Sequence, residues 1–487
     1  MIYIRVCIFV CDLLLQRCMR VQKGMFTMAL LAKYYVPGLY VEERAIDVPL
    51  DWEQNTPGDS IKGEKIRLFC RVISAPEHAH DDLPLLVFLQ GGPGGQCPRP
   101  LSPSSDGWIQ EAIKHFRVVL PDQRGVGRSS RVDASTIKRM ADDGVSVERQ
   151  AWYLKRFLAD SIIRDFEHLR LTEFNAKPWV SLGQSYGGFL TLTYLSLFPQ
   201  GLIASFTTGG IPHVPANARE VYEHTFPRMA RKTEQFYERY PQDVARAAAI
   251  ADRIAQGDVV LPNGEKLTVE RFQMLGSSFG MKPSFERVHW LLDSAFADGD
   301  GSLKAFKHGG GASAGSLSDE FVYGVMDSTA SSPLYWPLQE FIYADGELEH
   351  PILWAAQQVR ETMPEFSGSA RPLLFTGEAM FPWMFDQEKA LQPFLPAVDC
   401  LMSDKQFGKI YDQDQLANNE VPLQSAVYFD DMYVDSGLQL DTLSRIANSH
   451  YWTTNEFEHD GLHGDVVFRH LFDDALNRGD LEGIYKR

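Results

Sequence analysis

The sequence predicts an α/β fold: a mostly parallel central sheet with a large, mainly helical segment inserted into it. Three observations carry this. Short apolar runs such as "LPLLVFLQ", "FRVVLP" and "WVSL" have strand length, and two of them lead into glycine-rich turns, as strands buried on both faces do. Helix-patterned segments alternate with them, as in "DSIIRDFEHLRLTEF", where Ile162, Ile163, Phe166 and Leu169 share one face. The texture then turns mainly helical from about 211 to 365, before strand-like runs return.

Composition sets the bounds. A chain of 487 residues suits a large domain with an insertion, and 44% apolar residues can fill a sizeable core. The formal net charge of −17, with no dense Lys/Arg block, argues against a nucleic-acid partner. It tolerates a cationic ligand. Six cysteines stand at 7, 11, 18, 70, 97 and 400, with no CxxC among them. Their spacing gives neither a zinc set nor a disulfide framework. A reducing compartment is the simpler reading, so a cytoplasmic location is expected, with no metal and no cofactor.

In chain order, residues 1–28 come first. Their apolar stretch is broken by Arg5, Asp12 and Arg17, too soon for a membrane span or a secretory signal. The expectation is an extension read from an upstream start codon, with structure beginning near Ala29; a poor secretory or anchor segment is the rival. Residues 29–210 are expected to form the first part of the core. Its strands are "LYVEERAIDVPLDW", "IRLFCRVIS", "LPLLVFLQ", "FRVVLP" and "PWVSLGQS". Residues 211–365 form the helical insertion, with "REVYEHTFPRMARKTEQFYERY" and "PQDVARAAAIADRIAQG" as helices and "HGGGASAGS" (308–316) as a mobile loop. Residues 366–487 return to the core through strand-like "RPLLFTGE", "QSAVYFDD" and "YWTTNEFEHDG". No later run is long and apolar enough for a membrane partner.

The chemistry centres on "WVSLGQSYGGFLTLTYLSLFP". A buried strand, a serine between two glycines, and a helix apolar nearly all round describe a sharp strand-to-helix turn. Such a turn lifts a hydroxyl above the sheet in a strained conformation, and Gly183 and Gly187 stand where a Cβ would meet neighbouring backbone. Ser185 is therefore the candidate nucleophile. A serine hydroxyl needs a base, and the base needs a carboxylate to orient it. "SAVYFDDMYVD" offers Asp430 and Asp431, and "TTNEFEHDGLHGD" offers His459 and His463. His459 is preferred because it directly follows the strand and precedes a turn pair. Asp431 is taken ahead of Asp430. The oxyanion needs two converging N–H groups. Tyr186, next after the serine, and Gly92 in "QGGPGG" are the candidates. The glycine loop lacks the Lys-Ser/Thr of a phosphate-binding loop.

"QGGPGG", "DQRGVGRSS" and "GQSYGGF", in that order, resemble the prolyl aminopeptidase (proline iminopeptidase) family of α/β-hydrolases, and its longer subfamily with a large helical cap most of all. "FTGEAMFPWMF", "YFDDMYV" and "NEFEHDGL" extend the resemblance over about residues 35 to 487, and "DDMYV" supports Asp431. Where shorter members carry His, this chain has Gln90, as the longer subfamily does. The resemblance implies a serine peptidase that releases an N-terminal residue, chiefly proline, from peptides with a free N-terminus. Such an enzyme must bind an ammonium group, so a carboxylate should face the substrate. Glu378 is the first candidate, with Phe381 and Trp383 as a wall against the pyrrolidine ring; Glu220 and Glu223 are lesser ones. Asp122 and Arg124 are expected to brace the loop beneath the site. An esterase or a tripeptidyl-type aminopeptidase of the same fold is the alternative. Oligomeric state is left open.

Overall fold

The computed structural model describes residues 29–296, 316–330 and 332–485. The expectations for residues 1–28 and for the glycine-rich stretch from 308 to 315 lie outside these described residues.

One nine-stranded sheet organises the chain. Its strands are β1 (Ala29–Val36), β2 (Leu39–Pro49), β3 (Lys65–Ser74), β4 (Leu85–Leu89), β5 (Arg117–Pro121), β6 (Trp179–Gln184), β7 (Leu202–Thr208), β8 (Leu423–Tyr428) and β9 (Ser449–Thr454). They lie in the order β1-β2-β3-β5-β4-β6-β7-β8-β9. Pairs β1–β2, β2–β3 and β3–β5 are antiparallel, and every pair from β5 to β9 is parallel. The fully apolar runs sit in the middle of the sheet because both their faces are covered. In β4, Leu85, Val87 and Leu89 join one core while Leu86 and Phe88 join the other.

Strands β1 and β7 go beyond those expected. The run "LIASFTT" of β7 carries hydroxyl residues where an apolar pattern would be looked for. Its hydroxyls pair with neighbouring strands instead: Ser181 donates to Ser205 at 2.9 Å and Thr207 to Ser425 at 2.7 Å. The hydroxyls of Ser205 and Thr207 are thus satisfied inside the sheet, so their burial costs little.

After β7 the next strand of the sheet is β8, and the described residues between them contribute no further strand to it. "RPLLFTGE" is accordingly not a strand, which corrects the expectation for residues 371–378. It is threaded through the insert, and side chains and loops take its backbone bonds. Tyr237 donates to the Leu373 carbonyl at 2.7 Å, Gln273 to the Leu374 carbonyl at 2.8 Å, and the Phe375 N–H goes to Thr233 Oγ1 at 3.2 Å. An apolar run of strand length whose backbone is bonded by side chains and loops reads the same from sequence as a sheet strand. The described residues of the insert are otherwise mainly helical, as expected, with long helices at Ala218–Arg239 and Gln242–Ile254. No helix among the described residues is long and apolar enough to cross a membrane.

Candidate active site

The parallel strands point their C-terminal ends the same way, and the chemistry-bearing residues gather there. Ser185 lies between β6 and the helix Tyr186–Leu197, with φ 55° and ψ −126°. A non-glycine residue held there is strained, and the surroundings leave it no alternative. A Cβ on Gly187 would lie 1.8 Å from the Leu89 carbonyl oxygen, and one on Gly183 would lie 2.2 Å from that of Gly187. The two glycines of the motif are thus the price of pressing the turn onto the end of β4. Every residue of the following helix from Tyr186 to Ser196 is buried.

The loop after β4 lies beside this turn because β4 pairs directly with β6. A Cβ on Gly91 would be 3.0 Å from Cβ of Ser185. Gly92 follows with φ 73°, and the ring of Tyr335 from the insert covers it. On the other side, the Ser185 N–H donates to the Thr208 carbonyl at 3.0 Å. The Gly209–Gly210 turn after β7 then touches both partners. A Cβ on Gly210 would lie 2.3 Å from the Ser185 carbonyl oxygen, and one on Gly209 would lie 3.1 Å from Oδ2 of Asp431.

Asp431 comes just after β8 and His459 in the loop after β9. They are joined by a 2.7 Å bond between Nδ1 of His459 and Oδ2 of Asp431. Both are buried. A carboxylate only accepts, so Nδ1 carries the proton and Nε2 is left as a base. The other oxygen of Asp431 accepts the N–H groups of Tyr433 at 2.8 Å and Val434 at 3.1 Å. Burial pulls the His459 pKa down, but the charge and hydrogen bond of Asp431, with Glu378 and Asp460, more than reverse this, leaving it raised. Asp430 is half-buried. His463 turns away to Asp106, with Nδ1 3.0 Å from Oδ1.

Glu378 belongs to the same centre. It is partly exposed yet surrounded by protein, and no hydrogen bond or ion pair reaches its carboxyl among the described residues. Burial pushes its pKa up to about 7; the His459 charge opposes this and that of Asp431 adds to it. Buried tyrosines 222 and 433 feel the Glu378 charge in turn. Phe381 and Trp383 stack on one another at 6.1 Å, and Arg360 lies over the Phe381 ring at 5.2 Å. Glu220 instead pairs with His213 at 3.1 Å and Glu223 with Arg219 at 2.8 Å.

Asp122 and Arg124 hold loops in place. Asp122 accepts the Cys97 N–H at 3.2 Å, the Arg128 N–H at 3.0 Å and Arg99 Nη2 at 2.6 Å, tying the glycine loop after β4 to the one after β5. Arg124 is fully buried against Asp165, with bonds of 2.8 and 2.5 Å, and donates to the carbonyls of Pro49, Leu50 and Arg156. Sequence reasoning missed Tyr433, whose ring lies 4.6 Å from that of His459, and the Gly209–Gly210 turn. The second carried a signal: "TTGG" repeats the glycine turn seen at the end of β4.

A mostly parallel sheet with a strained serine after a central strand, and an Asp–His pair after the last two, is the architecture of an α/β-hydrolase. A family model for the alpha/beta hydrolase fold matches residues 84–251. The chain is 39% identical over 435 residues to the proline iminopeptidase of Aeromonas sobria, covering 89% of this chain and 95% of that one. It is 32% identical over 424 residues to the proline iminopeptidase aneH of Aspergillus aculeatus, covering 85% and 90%. A solved proline iminopeptidase of Mycobacterium smegmatis covers 93% of this chain and is covered in full, at 12% identity and a TM-score of 0.36, too low to carry weight. The chain belongs to the proline iminopeptidase family of α/β-hydrolases.

Proposed function

We propose that this protein is a serine aminopeptidase that releases an N-terminal residue, preferentially proline, from peptides through an acyl-enzyme. The observation that carries the reading is the buried 2.7 Å bond between His459 and Asp431 beside the strained turn at Ser185. Ser185 Oγ attacks the carbonyl of the N-terminal residue while Nε2 of His459 takes its proton. The protonated imidazole is stabilised by Asp431, then gives the proton to the leaving amine. The N–H groups of Gly92 and Tyr186 receive the oxyanion, and the N-terminus of the helix at Tyr186 favours the developing charge. Water releases the acyl group by the same steps in reverse roles.

The preference for a free N-terminus comes from Glu378. A carboxyl with no hydrogen-bond or ion-pair partner among the described residues, raised to about 7, is a group waiting for a cation. A substrate ammonium pairs with it and restores its charge. The stack of Phe381 on Trp383 is proposed as the apolar side of the ring pocket. The substrates are peptides, and neither nucleic acid nor membrane takes part.

Purified protein offered proline β-naphthylamide tests the reading, with Ser185→Ala beside it. Hydrolysis is expected from the parent and not from the variant. Equal rates in both would refute the serine assignment.

A further inference from the structure

The loop that bears His459 is held from outside the sheet. Beyond turn contacts within the loop itself, the described hydrogen bonds of residues 456–460 run to the insert, apart from those to Asp431 and from the Glu456 N–H to Thr454 Oγ1 at the end of β9. The His459 N–H donates to the Gly280 carbonyl at 2.9 Å. The carboxylate of Asp460 accepts the Lys282 N–H at 3.1 and 3.2 Å, and Lys282 Nζ donates to the Glu456 carbonyl at 2.8 Å. Glu458, next before the histidine, takes both its bonds from Lys232 Nζ, at 2.7 and 2.8 Å. Lys232 projects from the long insert helix Ala218–Arg239, and its side chain is only 6% exposed. From the same direction, Tyr433 lays its ring on His459 and donates its hydroxyl to the Ser277 carbonyl.

We propose that Lys232 is a positioning residue for catalysis: its pair with Glu458 fixes the loop so that the His459 ring stays on Asp431 and faces Ser185. A buried ammonium paired to a carboxylate has a narrow range of geometries, because Lys232 left alone would be buried without a partner. The insert therefore does more than cover the cleft. It supplies the bracket on which the general base is mounted, and a pair one residue from the imidazole sets where its ring lies. Small displacements there are costly, since proton transfer requires hydrogen-bond distance from the serine. This inference rests on His459 being the base, as proposed above.

The experiment compares the parent with Lys232→Met, Glu458→Gln and the double variant. Two readouts are used: the rate at which a fluorophosphonate labels Ser185, and kcat and KM on proline β-naphthylamide. The labelling needs the base but no particular substrate, so it remains informative if the prolyl activity fails. Each single variant is expected to lose about 10- to 100-fold in labelling rate and in kcat, with KM within about twofold. The double variant should lose no more than the worse single one, since the two residues act as a unit. A folded Lys232→Met protein with parental labelling and kcat overturns the proposal, as does a loss confined to KM. If Lys232→Met does not fold, Lys282→Ala carries the test, because Lys282 lies at the surface and its ammonium holds the same loop. A threefold or larger loss of labelling rate is then expected, and parental labelling sinks the idea.

Discussion

Asp431 divides its two oxygens between two tasks: Oδ2 holds Nδ1 of His459 at 2.7 Å, and Oδ1 is pinned by the N–H groups of Tyr433 and Val434. The carboxylate cannot rotate away from the imidazole without losing backbone bonds. Asp431→Asn should keep the shape but let the amide favour the wrong tautomer of the ring. A fall in kcat of about 10³- to 10⁴-fold is expected, with little change in melting temperature. Asp430→Asn should stay within about threefold of the parent, since the acid that orients the ring is its neighbour. Similar losses in both would show that the acid is misassigned.

In its proposed role as base, His459 works only when neutral. Its pKa lies above the ordinary 6.5, because the surrounding carboxylates outweigh burial. The acid limb of kcat/KM is therefore expected above that value, with activity lost as pH falls through it. Asp431→Asn removes the main upward pull, so the limb of its residual activity should move to lower pH. A limb that stays in place would separate the observed titration from this histidine.

Glu378 titrates at about 7, raised chiefly by burial from the usual 4.5. KM for peptides with a free N-terminus should rise as pH drops below about 7, and Glu378→Gln should raise KM and remove that dependence while sparing simple esters. The stability sign follows from the same shift. The folded protein holds this proton more tightly than the unfolded chain, so stability falls as pH rises from about 4.5 to about 7. The ceiling on that loss is on the order of 3 kcal/mol, reduced by the partial exposure of the group. Chemical denaturation should show Glu378→Gln gaining on the parent across that window and level with it below.

Gly187→Ala puts a methyl 1.8 Å from the Leu89 carbonyl oxygen, with backbone on both sides of the contact. A loss of about 3 kcal/mol or more is expected, with labelling of Ser185 abolished. Gly464→Ala meets nothing nearer than 3.7 Å and has ordinary φ, so it should stay within about 1 kcal/mol. Thermal unfolding of the pair gives the comparison.

Arg124→Met takes from Asp165 its ion-pair partner in the core and leaves it only the bond from Trp52 Nε1. About 3–5 kcal/mol of stability should go. Assayed cold, where the variant is still folded, KM should be unchanged, because Arg124 ties chain segments together and touches no substrate. A KM shift there would move the residue into the binding site.

How much was legible follows from how local the signals are. The turn at Ser185 announces itself because the two places where a Cβ would strike backbone, that of Gly187 and that of Leu89, fall at Gly183 and Gly187, two residues to either side of the serine. The buried central strands are plain for a similar reason: unbroken apolar runs need two covered faces. Strand β7 was hidden because Ser205 pairs with Ser181 on β6 and Thr207 with Ser425 on β8, pairings that no one-dimensional pattern displays. "RPLLFTGE" misled because apolar content reports burial, not which partner takes the backbone bonds. Tyr433 and Lys232 could not be assigned work from sequence at all. Their contacts join residues far apart in the chain, and only folding brings them to His459.

The order of parts along the polypeptide has a consequence for biosynthesis. The strained serine is complete once β6 and its helix exist, but the acid and the imidazole arrive only with β8 and β9, after the whole insert has been made. A half-translated chain, or one cut within the insert, carries a hydroxyl with no proton acceptor. If Ser185, Asp431 and His459 act together as proposed, hydrolysis waits until the last strands of the sheet have been made.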